Sequence, residues 1–368
     1  MRFGFTTGSC SAAASKAAAY MLLSGKIKEK ITVKTPKGLE YDADIVDIKR
    51  SEREVSCGVV KDGGDDPDIT TGLVIYSAVK FSSSENGSIN IYGGEGIGKV
   101  TKPGLDQPVG SAAINSVPRL MIERELRSIT ELFDFQGSLD VVISAPGGAE
   151  IAKKTFNPRL GVEGGISILG TSGIVEPMST QAVLDTIRVE LNQKKALGLK
   201  KIIISPGNYG MAFVKERLGF NLDSAVKCSN YIGASIDMAA ELGFTDLLLC
   251  GHIGKLIKVS GGIMNTHSSE ADCRMELMAA CMIEAGADIY FLKRILDCVT
   301  ADAAYEIIIE AGLDKEFADI LMKKIAFYLE KRSKGKINIE CIAFSRINDF
   351  IAMTEQASNI VSAVGEEN

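Results

Sequence analysis

Short apolar segments alternate with amphipathic segments from about residue 160 onward, and this alternation restricts the folds that the chain can adopt. Residues 201–205 and 246–251 are of strand length and have apolar centres at 202–204 and 247–250, whereas residues 179–197 carry apolar side chains at helical spacing. Strands that alternate with helices along a chain usually lie parallel in one sheet. The second half is therefore predicted to be a doubly wound α/β domain with a mainly parallel sheet.

The second half contains further segments of both kinds. Strands are predicted at residues 166–170, 201–205, 225–229, 246–251 and 337–344. Helices are predicted at residues 179–197, 208–218 and 232–243, over most of 270–332, and at 346–364. Residues 166–170 are expected to form the first strand of the parallel sheet.

The first half has the pattern of an α+β domain. Within residues 40–48, Tyr41, Ala43 and Ile45 alternate with other side chains, two of them aspartates, which is typical of a half-buried antiparallel strand. Helices are predicted at residues 9–23 and 117–131, and strands at 31–34, 40–48, 53–60, 70–81, 88–92 and 139–144. The fold class is therefore α/β with two domains, the first having mostly antiparallel strands.

A glycine-rich stretch, residues 145–165, is predicted to link the two domains. This places the α+β domain at residues 1–150, the doubly wound domain at 151–346, and a C-terminal helix and tail at 347–368. A chain of 368 residues is long enough for two domains of ordinary size.

The charge balance and the apolar runs argue against several classes of protein. With 41 lysines and arginines against 47 aspartates and glutamates, the formal net charge is −6, whereas general nucleic-acid binders need surplus positive charge. No apolar run reaches the roughly 18 residues that span a bilayer. The eight cysteines form no C-x-x-C motif and are interpreted as reduced thiols. We therefore expect a cytoplasmic protein without a membrane or nucleic-acid partner.

Two glycine-rich loops are candidates for binding a nucleotide-like ligand. The first, Gly170-Thr171-Ser172-Gly173, would follow the first strand of the parallel sheet, and such sheets bind ligands where strand ends meet helix starts. It offers free backbone amides, two hydroxyls and little side-chain bulk. An ordinary strand-to-helix loop is the alternative interpretation.

The second loop has Gly94, Gly96 and Gly98 in a G-x-G-x-G arrangement after a predicted strand. A dinucleotide-binding fingerprint requires a helix directly after such a loop, but the sequence around Lys99 and Lys102 is no helix start. A glycine-rich binding loop with two nearby lysines and a plain hairpin turn therefore both stay open.

Acidic and histidine side chains are candidates for acid–base chemistry. Asp62, Asp65 and Asp66 belong to a cluster of four carboxylates within seven residues, which could hold Mg²⁺ or orient a substrate but lacks the spacing of a calcium loop. A solvated turn is the simpler interpretation. His267 is a candidate to hydrogen-bond a ligand. Together with His252 and two cysteines it matches no common zinc pattern, so no metal ligands are predicted.

The start of the first helix is a candidate anion site. Thr6, Thr7, Gly8 and Ser9 lead into an alanine-rich segment, and amides and hydroxyls at a helix N-terminus favour negative charge through the helix dipole. Cys10 lies at the same position, where a thiolate is stabilised. A capped structural helix is the alternative.

Five ordered motifs together resemble one protein family. The motifs are residues 4–14 (GFTTGSCSAAA), 61–68 (KDGGDDPD), 93–104, 157–179 and 251–268. From residue 2 to about residue 345, the chain resembles the cobalt-precorrin-5B C-1-methyltransferase family, the cobalamin biosynthesis proteins of the D type. Thr71 departs from the family pattern, which has a histidine at that position.

The resemblance implies an S-adenosylmethionine-dependent methylation of C-1 of a cobalt-containing, ring-contracted tetrapyrrole. The product would be cobalt-precorrin-6A of the anaerobic corrin pathway. Cobalt arrives with the substrate, so no protein-bound metal is implied. A homo-oligomer and transient contacts with other enzymes of the corrin pathway stay open.

The resemblance also suggests roles for the candidate residues. The methyl donor is expected at the loop 170–173, with the glycines of the loop 94–98 as the alternative. The substrate carries several carboxylates, for which hydroxyls, amides and cations are suitable partners. The expected substrate-binding residues are Thr6, Thr7, Gly8, Ser9, Lys99, Lys102, Arg159, Lys255 and Lys258. The candidate bases are Asp62, Asp65, Asp66 and His267.

Two other functions are compatible with the same features. A nicotinamide-dependent corrinoid oxidoreductase would bind its nicotinamide cofactor more tightly than S-adenosylmethionine. A non-catalytic tetrapyrrole carrier would bind a corrinoid without converting it.

Overall fold

Two groups of strands organise the chain. The structure, a computed structural model, describes residues 1–84, 86–207, 213, 216, 225–347 and 351–360. It divides into two compact units, Met1–Ser179 and Thr180–Asn368, and each unit has its own hydrophobic core. The protein is thus a mixed α/β protein with several sheets.

The N-terminal unit is built around a five-stranded sheet. The strands in the described residues of this unit are β1 (Gly4–Phe5), β2 (Lys30–Lys34), β3 (Glu40–Asp44), β4 (Val46–Arg50), β5 (Glu54–Val60), β6 (Val74–Phe81), β7 (Ile89–Gly93), β8 (Lys99–Val100), β9 (Leu139–Ser144), β10 (Val162–Glu163) and β11 (Ile174–Val175). Its helices are α1 (Thr7–Ser24), α2 (Ser116–Leu132) and α3 (Gly148–Ala152). The main sheet has the order β4-β5-β6-β9-β7, and its neighbours are antiparallel except for the parallel pair β7–β9. The antiparallel character predicted for the first half is confirmed.

Helix α1 lies at the centre of the N-terminal unit. Thr6 caps its start by accepting a hydrogen bond from the Ser9 amide, and Gly25 ends it in the left-handed conformation with φ 68°. Six buried alanines contribute to its contacts with α2, β5 and β6, because alanine combines high helix propensity with small volume. Neither α1 nor any other helix of the described segments is long and apolar enough to cross a membrane.

The C-terminal unit is built around a second five-stranded sheet. Its strands are β12 (Lys201–Ser205), β13 (Ala225–Lys227), β14 (Asp246–His252), β15 (Asn338–Phe344) and β16 (Ala352–Met353). The helices within its described residues are α4 (Thr180–Ala196), α5 (Ile232–Glu241), α6 (Ile253–Val259), α7 (Arg274–Glu284), α8 (Ile289–Leu296), α9 (Ala301–Glu310) and α10 (Asp314–Ser333). The sheet order is β13-β12-β14-β15-β16, with parallel neighbours except for the antiparallel pair β15–β16.

The parallel sheet is buried on both faces. Ile202 and Ile204 pack into a large core that includes residues of the helices α4 to α10. Ile203, between them, packs into a separate core with Leu248 and Ile342. Strands that are covered on both sides read as continuous apolar runs, which is the signal that predicted β12 and β14 from the sequence.

The strand predicted at residues 166–170 is wrong. Ile166 makes a single bridge with Ile97, and Ile168 makes one with Ile114, all inside the N-terminal unit. Periodicity alone cannot assign a short apolar run. Here the run is a connection with two buried isoleucines rather than a strand of the parallel sheet.

Residues 151–179 belong to the N-terminal unit, whereas the sequence prediction placed a boundary after residue 150. Within this stretch, β10 pairs with β8, and β11 pairs with β1. These pairings attach the stretch to strands that precede it by more than 50 residues. Strands of two residues have no recognisable sequence pattern, so the sequence of this stretch shows its glycine content but not these pairings.

Two further predictions of elements are corrected. The predicted strand 40–48 is two strands, β3 and β4, which pair with β2 and β5. Asp47, the second residue of β4, has φ 53°, and the pairing with β5 shifts register between Val46 and Lys49. The predicted helix 346–364 is wrong at Ala352 and Met353, which form β16 along β15. Residues 348–350 and 361–364 of that helix, and most of the helix predicted at 208–218, lie outside the described residues.

Candidate functional site

Three sequence motifs meet at the start of α1. They are the segment that leads into the helix (residues 2–10), the acidic turn (residues 61–72) and the first glycine-rich loop with its flanks (residues 167–178). Strand β1 of the first segment pairs with β11 of the third, and the Phe5 amide donates to the Asp62 carbonyl at 2.8 Å. We refer to this assembly as the α1 junction.

The helix start binds the glycine-rich loop directly. The Ser9 hydroxyl donates to the Gly173 carbonyl at 2.5 Å, and the Thr7 hydroxyl accepts from the Leu169 amide at 2.9 Å. The Gly8 amide donates to the Leu169 carbonyl at 3.1 Å. All four residues predicted here to bind carboxylates are buried and contact the loop or its flanks. Their role toward substrate stays a prediction.

The glycine-rich loop keeps unused hydrogen-bond donors. Within the described ranges, the backbone amides of Gly170, Thr171, Ser172 and Gly173 donate to no protein acceptor. Thr171 is exposed, and the Ser172 hydroxyl donates to the Ile174 carbonyl at 3.1 Å. Successive free amides beside an exposed hydroxyl are suited to bind carboxylate or hydroxyl groups of a ligand.

The other glycine-rich loop packs against the backbone of the protein itself. The amide of Gly94 donates to the Ile143 carbonyl at 2.7 Å. Gly96 has φ 73°, and a Cβ atom there would overlap the Ala145 carbonyl oxygen. A Cβ atom on Gly98 would lie 2.8 Å from a backbone oxygen. These glycines are required for close backbone packing, a role that a sequence pattern cannot separate from ligand binding.

Arg2 organises the acidic turn, and no sequence signal pointed to it because Asp62 is 60 residues away. Its guanidinium donates to both carboxylate oxygens of Asp62, and its amide donates to Asp65 at 2.6 Å. The Arg2 hydrogen bond lowers the pKa of Asp62 below its ordinary value, so Asp62 is a weaker base. Asp66 accepts from the Met178 amide at 3.2 Å. The three aspartates thus hold the junction together, and their role as bases stays a prediction.

A buried ion pair lies in the same turn. Lys61 is 2% exposed, and its ammonium is 2.6 Å from the Asp68 carboxylate. Burial raises the pKa of Asp68, but the hydrogen bonds from Lys61 and Thr70 outweigh this effect, so the pKa lies below its ordinary value. The Asp68 carboxylate therefore stays ionised at neutral pH, and its contact with Lys61 fixes the acidic turn.

Cys10 lies in the first turns of α1 but is not a thiolate. It is fully buried, and burial raises its pKa to about 11. The stabilisation of a thiolate expected from the helix start is therefore outweighed by the loss of solvation.

Lys99, Lys102 and Arg159 are neighbours on the surface of the N-terminal unit. All three are exposed. Strand β8, which contains Lys99, pairs with β10, and the Lys102 ammonium lies 3.4 Å from the Arg159 carbonyl. The pairing of β8 with β10, which places Lys99 opposite Glu163, thus brings the segments of these three cations together, and their role in carboxylate binding stays a prediction.

The other predicted site residues lie in the C-terminal unit. Lys258 is buried and donates to two backbone carbonyls at 3.2 and 2.7 Å, so it fixes the loop after α6. Lys255 is half-buried and donates to the Asn230 side chain. His267 is exposed, with its Nδ1 2.7 Å from the Ser269 hydroxyl. The substrate-binding and catalytic roles of these residues stay predictions.

The carboxyl edge of the parallel sheet carries two polar groups that sequence analysis did not assign. His252 ends β14, and its Nε2 lies 3.0 Å from Asp302 Oδ1; burial is the main cause that lowers the pKa of His252. Ser205 ends β12, and its buried hydroxyl has no hydrogen-bond partner among the residues that the structure describes. The sheet order brings these strand ends together, which no motif reveals. No three histidine, cysteine, aspartate or glutamate side chains of the described residues are grouped as metal ligands.

Comparison with known proteins shows the family. The family model described as CbiD matches residues 1–177, and the model described as CbiD, C-terminal domain, matches residues 265–355. A cobalt-precorrin-5B C(1)-methyltransferase of Ruminiclostridium cellulolyticum is 47% identical over 95% of this chain and 90% of the relative. Another, of Alkaliphilus metalliredigens, is 44% identical over 100% of this chain and 96% of the relative. The chain belongs to the CbiD family of cobalamin biosynthesis proteins.

A solved structure is also similar to part of the chain. The crystal structure of the cobalamin biosynthesis protein CbiD from Archaeoglobus fulgidus shares 26% sequence identity. The match covers 73% of this chain and 83% of that protein, with a TM-score of 0.38.

Proposed function

We propose that the chain transfers a methyl group from S-adenosylmethionine to C-1 of cobalt-precorrin-5B and so forms cobalt-precorrin-6A. One observation carries this proposal. Relatives named cobalt-precorrin-5B C(1)-methyltransferase are 38–47% identical over 84–100% of the chain. The alternatives, a nicotinamide-dependent oxidoreductase and a tetrapyrrole carrier, have no comparable support.

Positioning is the main task left to the protein. The donor carries the methyl group on a positively charged sulfur. When C-1 of the macrocycle attacks the methyl carbon, the carbon–sulfur bond breaks and the sulfur leaves as a neutral thioether, which is a good leaving group. Holding two reactants in line can contribute roughly 7–11 kcal/mol in well-oriented systems. A protein nucleophile is therefore not needed, in keeping with the buried, protonated Cys10. Cobalt belongs to the substrate.

The donor is assigned to the loop 170–173. Its free amides and the exposed Thr171 hydroxyl suit the carboxylate and ribose hydroxyls of S-adenosylmethionine. Thr7 and Ser9, whose hydroxyls already bind this loop and its flank, then act by positioning it. The loop around Gly96 is the weaker candidate because its glycines pack against backbone.

The macrocycle is assigned to the exposed cations of the N-terminal unit. Lys99, Lys102 and Arg159 are neighbours, and charge-assisted hydrogen bonds to carboxylates are stronger than neutral ones. We also treat the two compact units as two domains, the C-terminal one doubly wound. The strand order and the burial of its sheet on both faces support that classification. A cytoplasmic enzyme fits this assignment.

Replacing Ser172 with alanine is expected to weaken S-adenosylmethionine binding by roughly 5- to 150-fold, on the order of 1–3 kcal/mol. The Ser172 hydroxyl donates to the Ile174 carbonyl and accepts from its amide, so it sets the shape of the loop. Calorimetric titration of the folded variant measures the loss. Lys102→Gln is the control, which should spare donor binding and weaken corrinoid binding. The opposite pattern would assign the donor to the loop around Gly96.

Anaerobic incubation with cobalt-precorrin-5B and methyl-labelled S-adenosylmethionine tests the activity. We expect a corrinoid whose mass increases by one labelled methyl group, and no product without the donor. Tight corrinoid binding with unchanged mass would instead identify a carrier. A gain of two hydrogens with a nicotinamide cofactor would identify an oxidoreductase.

A further inference from the structure

A basic cleft opens in the C-terminal unit between α5 and the end of α10. Its volume is about 700 Å³, which lies within the usual range of ligand sites. The cations that line it are Lys331, Arg332, Lys334 and Lys336, and the apolar side chains include Ile236, Met264 and the ring of Tyr328. None of these residues belongs to the α1 junction, and the sequence analysis assigned none of them.

The acidic side chains of the cleft are already paired. Arg332 forms a bidentate ion pair with Asp237, and Glu241 lies 2.9 Å from Arg188. The three lysines of the cleft have no such partner, because no carboxylate of the described residues lies within 4 Å of their ammonium groups. An excess of positive charge is therefore concentrated here in a chain whose formal net charge is −6.

The helix dipole explains only part of this cluster. Lys331 and Arg332 lie in the last turn of α10, where cations offset the partial negative charge of a helix end. Lys334 and Lys336 lie beyond the helix. Lys334 adopts the left-handed conformation with φ 52°, and Gly335 follows with φ 71°. This turn keeps both lysines on the cleft.

An aromatic wall adjoins the lysines. Gly262 comes so close to Tyr328 that an added Cβ atom would lie 2.8 Å from the ring carbon Cε1. The Lys331 ammonium lies 6.0 Å from the centre of the same ring. Unpaired ammonium groups beside an aromatic face suit a ligand with an anionic edge, and an apolar body could lie along the ring.

We propose that this cleft binds a small molecule that carries two or more carboxylate or phosphate groups. Three ammonium groups that repel one another are stabilised when an anion is placed among them. A carboxylated tetrapyrrole and a free pyrophosphate share the required chemistry. This binding does not depend on the proposed methyl transfer.

Titration of the full-length protein with two probes tests the cleft. Uroporphyrin I is followed by absorbance, and pyrophosphate by calorimetry. At least one probe is expected to bind at low ionic strength and to bind more weakly as salt is added. The double variant Lys334→Gln/Lys336→Gln should lose at least tenfold in affinity. The control Lys315→Gln/Lys323→Gln removes two exposed lysines of α10 outside the cleft and should bind like the wild type.

Each outcome of the titration has one meaning. Binding of uroporphyrin alone or of both probes that Lys334→Gln/Lys336→Gln weakens at least tenfold supports a carboxylate ligand with an apolar body, and such binding of pyrophosphate alone supports a phosphate ligand. Binding that this variant leaves unchanged lies outside the cleft and would overturn the proposal. Absence of binding for both probes, or an equal loss in both double variants, would overturn the proposal. Thermal melting verifies folding, and Lys331→Gln/Lys336→Gln, which leaves the left-handed residue unchanged, replaces the first variant if that variant does not fold.

Discussion

Replacing Gly96 with alanine is expected to destabilise the N-terminal unit by more than about 4 kcal/mol, a large share of the stability of an ordinary domain. Gly96 has φ 73°, which costs a residue with a side chain about 1–2 kcal/mol. The added Cβ atom would also overlap the carbonyl oxygen of Ala145. That oxygen cannot move freely, because it accepts from the Gly148 amide at 2.7 Å while the Ala145 amide donates to Glu95 at 2.8 Å. Urea unfolding followed by circular dichroism measures the loss.

Gly110→Ala is the matched control for this substitution. Gly110 has φ 88°, but no atom lies within 4 Å of the position that its Cβ would take. Only the backbone strain applies, so the expected loss is about 1–2 kcal/mol. Equal losses at Gly96 and Gly110 would show that the contact with Ala145 has no energetic importance.

Asp68→Asn is expected to cost about 2–3 kcal/mol of unfolding free energy near pH 7. The substitution leaves the Lys61 ammonium buried without its carboxylate, and removing one partner of a fully buried pair typically costs about 3–5 kcal/mol. The value is lower here because the Asp68 side chain is 24% exposed. Asp44→Asn is the control. Asp44 pairs with Lys30, and because their side chains are 76% and 80% exposed, this substitution should cost less than about 1 kcal/mol.

The same substitution has a characteristic pH dependence. The pKa of Asp68 is lower in the folded protein than its ordinary value, so its contribution is present above the unfolded pKa of about 4 and is lost as the pH falls through the folded pKa. The difference between wild type and Asp68→Asn should therefore shrink below about pH 4. A difference that stays constant from neutral to acidic pH would contradict the ion pair.

The parallel sheet could be predicted from the sequence because its strands are covered on both faces. Residues 202–204 and 247–250 are continuous apolar runs, and they lie inside β12 and β14. The same signal failed at residues 166–170. Ile166 and Ile168 are as buried as strand residues, yet they make single bridges in the other unit. Burial and strand pairing are separate properties, and an apolar run reports only burial.

The motifs located the α1 junction, but their roles there could not be predicted. The hydroxyls of Thr7 and Ser9 looked like ligand donors in sequence, and in the structure they bind a segment more than 160 residues away. Asp62 looked like a free carboxylate, yet it pairs with Arg2. Contacts between distant segments decide whether a polar group is available, and local patterns carry no information about them.

Glycine-rich loops illustrate the same limit. Gly96 and Gly170 both belong to motifs typical of ligand loops, and at both a Cβ atom would collide with the protein. The two loops differ in how many of their amides are bound: those of Gly94, Ile97 and Gly98 donate to backbone carbonyls, whereas among the described residues none of the amides from Gly170 to Gly173 finds an acceptor. Hydrogen-bond satisfaction therefore favours the loop 170–173 as the candidate site, and its role in donor binding stays a prediction.

The position of the transferred methyl group tests the proposed activity most directly. The purified chain is incubated anaerobically with cobalt-precorrin-5B and S-adenosylmethionine labelled with ¹³C in the methyl group, and the product is examined by NMR in its diamagnetic form. The proposed activity predicts one labelled methyl resonance per corrinoid, with long-range couplings that place it on C-1. A label on another ring carbon, a label on a carboxylate as an ester, or no incorporation would contradict it.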